Sequence, residues 1–575
     1  MAWVSGGSRA LIDVLSQASL SVSYPLVLKM LESLATRSLE DARRISMGPH
    51  AFEYDNLNIS TSIYVEQVPG SMSKVRSGTF SVIYELLPSV SIKDMELEPM
   101  MRRFRTSKPL SMADLRPSRE ASLSYQFQTL INIVECLIKY SPNFEKYANN
   151  PKLQHKARRR LPDGHKTRYY PLRCTTIEEA SITGNILHHD DVYCVQMKRD
   201  PTSLNQSAIP SINDQLTNSR IRSIQELRGR DLTAWARREI FTLGFGVFHF
   251  LMNLIWALLH VHYGAINISG SLSHFFALLE KVRLAGEHPD FHTLLVALTQ
   301  ILDGLILNAW RQEIALDGHD SLDSFAATDP SPEELLVYSR RILEKYATPT
   351  EKPEPVYKKS EPTKSRKRKA SEDSASDTES SEADCSPTSK QAHNDTDVIY
   401  ENAVLLVRDL LYMIELVKAT ADGDFGRIED ILPDLACVFR AAGCNKYSTE
   451  ILHWLYQIKS VWTPEFANIM RDAMLVNPSG RKGHAMGTDM HIEHLIGYQK
   501  VCARSIDYFP FSFVQLYWQK ESLHCERDPC KLGSSWRYFS SDKPSSNHQN
   551  SSFPLDAIWL PGLDTQTIQS RQSSC

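Results

Sequence analysis

Three acidic positions in this chain, Asp55, Asp214 and Glu493, are of a residue type that could ligate a divalent metal. Asp55 leaves a short apolar run containing Phe52 and Tyr54, and Asn56 and Asn58 beside it are amides able to orient a carboxylate. Asp214 lies in Ile212-Asn213-Asp214-Gln215. Glu493 follows Asp489 by four residues, so on a helix the two share a face and Asp489 can support its neighbour. Carboxylate oxygens are the hard donors that Mg²⁺ accepts. Paired divalent ions held by three carboxylates activate an attacking hydroxyl or water and stabilise a leaving oxygen, the chemistry of DNA strand cleavage and transfer. Each position also has a structural reading. Asp55-Asn56 suits a turn whose side chains bond their own backbone, Asp214 suits the N-cap of a helix starting at Gln215, and Asp489 with Glu493 suits an exposed acidic helix start.

The stretch 152–173 offers a surface for DNA. Lys156, Arg158, Arg159, Arg160, Lys166 and Arg168 are candidate phosphate contacts, and Tyr169 and Tyr170 are candidate stacking partners for unpaired bases. A solvated charged loop is the plainer reading of the same residues. Arg102, Arg103, Arg105 and Lys108 form a second patch that would extend it. Other constellations carry less. His491-Ile492-Glu493-His494 with His484 matches no zinc-protease spacing. His260 and His262 read as a cap on an apolar block, and His249 as a hydrogen-bonded core residue. Cys525 and Cys530 lack a second cysteine pair for zinc. No Walker loop, dinucleotide fingerprint or nucleophile elbow is present.

The elements that would position the three acids are legible in outline. The 575 residues, 42% hydrophobic and 23% charged, exclude a wholly disordered or fibrous chain and suggest several units or one core with insertions. With 64 Lys+Arg against 68 Asp+Glu the chain is no polycation, so any nucleic-acid surface is local. Ten cysteines are too few for a disulfide scaffold, which points to a reducing compartment.

Residues 1–45 read as a helical hairpin, and 46–264 as the first part of a core. Strands are expected at Ala51–Ile63, Gly78–Leu87 and 191–197, with a helix over 123–140. The uncharged run Ile240–Leu259 is long enough to cross a bilayer, but His249, Asn253 and its glycines favour a buried core element, and no membrane is expected. Helical patterns fill 265–349 and 398–475, the two halves of an insertion, and 476–505 completes the core. Between the halves, 350–397 has the composition of a disordered linker. It carries a basic cluster (Lys364, Arg366, Lys367, Arg368, Lys369) resembling a nuclear-import signal that an import receptor would read, with Ser371 and Ser376 as candidate phosphorylation sites. Residues 506–575 read as a poorly ordered tail or the product of an imperfect gene model.

Several strings, in this order, resemble uncharacterised fungal proteins that carry the domain of unknown function 6589. They are SLSVSYPLVLKMLESLA (19–35), YDNLNI (54–59), YVEQ (64–67), SGT (77–79), NDQLT (213–217), GVFHFLMNLIW (246–256) and GTDMHIEHL (487–495). That family has no established activity, but its layout is similar to transposases with a ribonuclease-H-like core. The resemblance implies an α/β fold, mostly α by content: a ribonuclease-H-like mixed sheet with a large helical insertion. It implies Asp55, Asp214 and Glu493 as the catalytic, Mg²⁺-holding residues, with Asn56, Asn58 and Asp489 in support. The spacings, 214 − 55 = 159 and 493 − 214 = 279 residues, place the insertion before the last acid.

Two positions depart from the family pattern. Asn213 stands where the family has Gly, and Asn tolerates the left-handed backbone expected there; Ile496-Gly497 stands where an amide follows Glu-His-Leu. The expectation is therefore a nuclear, DNA-binding, transposase-derived protein, with homo-oligomers admitted, whose acidic site either cleaves DNA or has lost its chemistry and left an interaction scaffold.

Overall fold

The computed structural model describes residues 9–60, 75–286, 288–349 and 398–503. The import-like cluster, the linker, the cysteine pair Cys525 and Cys530 and the tail lie outside the described residues. The described chain is mostly helical around one mixed five-stranded sheet. Its strands are β1 (His50–Ser60), β2 (Val75–Glu85), β3 (Tyr169–Pro171), β4 (Ile209–Asn213) and β5 (Phe241–Phe245). They lie in the order β3-β2-β1-β4-β5. β1 runs antiparallel to β2, from His50 opposite Glu85 to Ser60 opposite Val75, and β3 adds antiparallel to β2. β4 and β5 both run parallel to β1.

Both faces of β1 are covered, and strand alternation sorts its side chains between them. Phe52 and Tyr54 face the helix Ile182–Asp190 and its extension. There the Tyr54 hydroxyl donates to Asn185 at 2.6 Å, and Phe52 meets Tyr193 edge-on at 5.4 Å. Glu53 and Asp55 point to the opposite face, which the helix Thr488–Ala503 covers: on the adjoining strand, Tyr84 bonds His491 of that helix at 2.9 Å.

β4 pairs with β1 at Phe52 opposite Ser211. Counting three residues on from each (55 − 52 and 214 − 211) brings Asp55 and Asp214 to one level at the same end of the sheet.

The expected strand at 191–197 does not form. Asp191–Gln196 continues the preceding helix as a π-turn. Its buried residues, Val192, Tyr193 and Gln196, follow a helical period rather than the alternation a strand needs. The uncharged run from Ile240 is likewise two elements. It supplies β5 and then, after Gly246, the helix Val247–His262.

From this helix to Pro464–Ala473 the described chain is helical, and it packs on Arg119–Tyr140 through one continuous core. Trp310, fully buried in Phe291–Leu316, donates its indole N–H to the Ile133 carbonyl at 3.1 Å. Arg427 forms a bidentate pair with Glu415 at 2.8 and 3.0 Å, both side chains 1% exposed. Phe291–Leu316 is the one described helix long and apolar enough to cross a membrane by length and composition; here it is a core helix of the bundle. A short hairpin, β6 (Leu475–Val476) with β7 (Met486–Gly487), returns the chain to the sheet and starts the last helix.

Several histidines are buried in this core. His188 is fully enclosed, with Nε2 2.8 Å from the Ser81 hydroxyl, and burial pushes its pKa down to about 3. A histidine held neutral by the fold takes up its proton more readily when unfolded. Its contribution to stability is therefore complete above the unfolded value of 6.5 and lost as pH falls toward 3. Comparison with a His188→Gln variant isolates this group from buried carboxyls that titrate in the opposite sense. In urea unfolding, the wild-type advantage over His188→Gln is expected to shrink by about 1 kcal/mol between pH 6.5 and 5.5. An advantage constant over that range would contradict it.

Candidate functional site

The sequence-distant acids are gathered at one end of the sheet. Asp55 comes from β1, with Oδ1 accepting the Asn56 amide at 2.7 Å. Asp214 follows β4 and caps the helix Gln215–Leu227, its Oδ1 accepting the Thr217 amide at 2.7 Å. The N-cap and the site position are thus compatible roles: one oxygen caps, and the other makes no hydrogen bond among the described residues. Glu493 comes from the last helix, 38% exposed and 3.8 Å from His249 Nε2.

Part of the Asp55 side chain reaches solvent, yet enough protein surrounds its carboxyl that burial is the first cause of an upward shift to about 7. Glu493 and Asp214 push it further up, and His249 opposes them. The three acids therefore share one electrostatic neighbourhood. Asn56 contributes its backbone N–H rather than its side-chain amide, and the Asn58 side chain is exposed.

Asp489 has a separate task. Its side chain is buried, 2% exposed, against the start of the helix Val247–His262. Oδ1 accepts the Phe248 amide at 3.0 Å, and Oδ2 accepts the His249 amide at 2.8 Å and lies 3.1 Å from His249 Nδ1. Gly246, the N-cap of that helix, has no side chain to cap it, so Asp489 supplies the cap from another element. A Cβ on Gly246 would stand 2.3 Å from Asp489 Oδ2, so only glycine permits this approach.

Burial works against a charge on His249. The hydrogen bond to Asp489, then the charges of Asp489, Asp55 and Glu493, outweigh it and push the pKa up to about 9. The imidazolium is the positive charge among these acids. The run around His249 is thus a junction between insertion and core.

Sequence reading passed over two more carboxylates. Glu53, two residues before Asp55 on the same face, is 1% exposed, and Glu179 is 2% exposed; one oxygen of each has no hydrogen-bond partner. Burial raises both well above the usual range. Asp489 and Asp55 add to the effect on Glu53, and Asp55 and Asp214 to that on Glu179. Glu53 was legible only through strand alternation from Asp55. For Glu179, in Ile177-Glu178-Glu179-Ala180, the sequence holds no comparable signal.

The donors fit a divalent ion in type, since carboxylate oxygens are hard ligands and these acids act on one another electrostatically. Their spacing is not closed. Among the described residues no three His, Cys, Asp or Glu side chains stand at metal-ligand distances. Glu493, half-exposed on its helix, is the acid with freedom to move inward.

Two expectations are corrected. Asn213 ends β4 and does not adopt a left-handed backbone. Its side chain, 1% exposed, donates to Asn218 at 3.2 Å, so this residue is held by a buried amide network. The basic stretch is not a free phosphate-binding strip. Arg158 pairs with Asp430 at 2.8 Å and Glu120 at 2.6 Å, Arg159 with Asp472 at 2.7 Å, and Arg160 with Asp163 at 2.9 Å. Lys156 lies over the Phe127 ring at 4.2 Å. Tyr169 meets His491 edge-on at 4.5 Å, and Tyr170 donates to Glu85 at 3.2 Å. These contacts tie the stretch to the sheet and the insertion.

Lys166 is exposed, and Arg168, its side chain 72% exposed, stands 3.7 Å from Glu85. In the second patch Arg102 pairs with Glu98 at 3.1 Å and Arg103 donates to the Val461 carbonyl. His262 bonds Asp409 at 2.8 Å, while His260 is exposed.

Replacing Asp489 by Asn leaves a helix start and an imidazolium without their counter-charge, and is expected to cost about 3 kcal/mol in chemical unfolding. Glu493→Gln, at a half-exposed side chain, is expected to change stability by less than about 0.5 kcal/mol. Equal costs would contradict this division of roles.

The chain belongs to DUF6589, a family of unknown function, whose family model matches residues 104–508. The matched range takes in Asp214, Asp489 and Glu493 and begins after Asp55, so the strings quoted at 19–35, 54–59, 64–67 and 77–79 precede it. No curated protein and no solved structure matches the chain.

Proposed function

We propose that this member of DUF6589 is a DNA-processing protein with a ribonuclease-H-like core, related to transposases, in which Asp55, Asp214 and Glu493 hold divalent ions. The observation that carries the reading is the coincidence of sheet and acids. A hairpin of antiparallel strands is continued by two strands parallel to the first, and the acids come from β1, the end of β4 and the final helix. The helical insertion enters after β5 and leaves before the acid-bearing helix, similar to the arrangement in some cut-and-paste transposases.

Bound Mg²⁺ would supply activation of an attacking water or hydroxyl and stabilisation of the leaving oxygen. The chain's own residues hold the donors. The Asn56 backbone N–H orients Asp55, the Gln215–Leu227 helix fixes Asp214, and Asp489, one turn before Glu493, locks the last helix against the insertion. DNA is the substrate this reading assigns, with Lys166 and Arg168 the exposed cations of the basic stretch. Action in the nucleus, import through Lys364–Lys369 and assembly into homo-oligomers belong to the same proposal.

A second reading has its own support. The open ligand spacing and the imidazolium of His249 beside Glu493 suit a scaffold that kept the fold without the chemistry.

Incubation with duplex and single-stranded DNA in Mg²⁺ or Mn²⁺ separates them. The enzyme reading predicts cleavage or joining abolished by chelator and reduced more than about 100-fold by Asp55→Asn, Asp214→Asn and Glu493→Gln, beyond the loss from an outer partner. Asn caps a helix as Asp does, so Asp214→Asn keeps its fold. Activity indifferent to the three variants would refute the site, and DNA binding without any metal-dependent reaction would favour the scaffold. In binding assays across salt concentrations, a Lys166→Ala, Arg168→Ala double variant is expected to lower the salt slope by about two. An unchanged slope would remove this stretch from the interface.

A further inference from the structure

Glu179 lies between β3 and the helix Ile182–Asp190, outside the three acids assigned above. Its backbone and side chain are held by different elements. The Glu179 carbonyl accepts the Asn185 side-chain amide at 2.5 Å, and Asn185 in turn accepts the Tyr54 hydroxyl of β1 at 2.6 Å. Gly184 allows the segment to fold this closely over the helix start, because a Cβ there would stand 1.9 Å from the Glu178 carbonyl. On the side chain, Oε1 accepts the Thr217 hydroxyl at 3.4 Å, and the Thr217 amide is the one that Asp214 caps. Glu179 is therefore fixed between the strand that carries Asp55 and the helix that Asp214 begins.

Its other oxygen, Oε2, is buried and has no hydrogen-bond partner. Native structures rarely leave a buried carboxylate oxygen unbonded. The charged groups acting on Glu179 are Asp55 and Asp214, both acids, so among the described residues no positive group offsets them. A rigidly placed, unsatisfied hard oxygen beside two carboxylates is the arrangement of a ligand whose ion is supplied from outside.

We propose that Glu179 is a fourth carboxylate of the acidic centre, its Oε2 ligating a divalent cation together with Asp55 and Asp214. The inference rests on the proposed metal site and adds a residue to it. In this proposal the open ligand spacing closes when the ion enters, with Glu493 completing the site from its more exposed side.

The test is Mn²⁺ titration of the metal-stripped full-length protein, followed by electron paramagnetic resonance and by thermal unfolding with and without Mn²⁺. Wild type is expected to bind Mn²⁺ and melt at higher temperature with it. Glu179→Gln should bind at least about 10-fold more weakly. Without metal it should melt no lower than wild type, because Gln keeps the volume and lacks the carboxyl whose charged form burial opposes. Glu179→Asp, which keeps the charge but withdraws the oxygen by one methylene, should fall between. Wild-type Mn²⁺ affinity in both Glu179 variants, with loss in Asp55→Asn, would overturn the assignment of Glu179 and leave the three-acid site standing. Absence of Mn²⁺ binding to wild type would overturn both.

Discussion

Gathering like charges at one end of a sheet is the constraint around which this structure is arranged. Carboxylates placed close together in a protein interior repel, and each raises the others' proton affinity. The fold offsets the repulsion acid by acid. Asp489 is satisfied by two helix-start amides and His249, Asp214 by the amide it caps, and Asp55 by Asn56. Glu53 and Glu179 each keep an oxygen with no hydrogen-bond partner among the described residues. A protein that needed only stability would replace such groups with apolar ones of similar size. Their retention, at a point where three elements meet, is what a function for the charge itself would require.

The geometry follows from two connections. The parallel pairing of β1 with β4 brings Asp55 and Asp214 level, although 159 residues separate them (214 − 55). The bond from Asp489 to the start of Val247–His262 then ties the last helix to the first helix after the sheet. Everything between those two helices can be long and helical without moving Glu493, because both ends of the excursion are joined at one carboxylate. Gly246 is the residue that makes the joint close enough.

Much of the frame was legible in the sequence because it depends on local period. Strand-forming residues marked β1 and β2 at Ala51–Ile63 and Gly78–Leu87, and helical spacing marked 123–140 and 398–475. The Asp214 cap was legible from residue type alone. What failed depended on tertiary partners. Asp191–Gln196 has strand-forming residues, but it follows a helix whose buried face it extends. The arginines of 152–173 looked free because Glu120, Asp430 and Asp472, which neutralise them, lie up to hundreds of residues away. Asn213 was read as a backbone substitute for glycine, whereas it belongs to a side-chain network. Glu179 carried no signal, since an acidic pair in a loop is ordinarily solvated. The cap reading of Asp214 engages one of its two oxygens, so it does not exclude the proposed site role.

The central claim, that Asp55, Asp214 and Glu493 form one divalent-ion site, is tested most directly by crystals grown with Mn²⁺ and measured at the manganese absorption edge. The account predicts anomalous density at the sheet end, within ~2.5 Å of carboxylate oxygens from β1, β4 and the last helix, with Glu493 drawn inward. Anomalous density elsewhere, or none with Glu493 still beside His249, would contradict it.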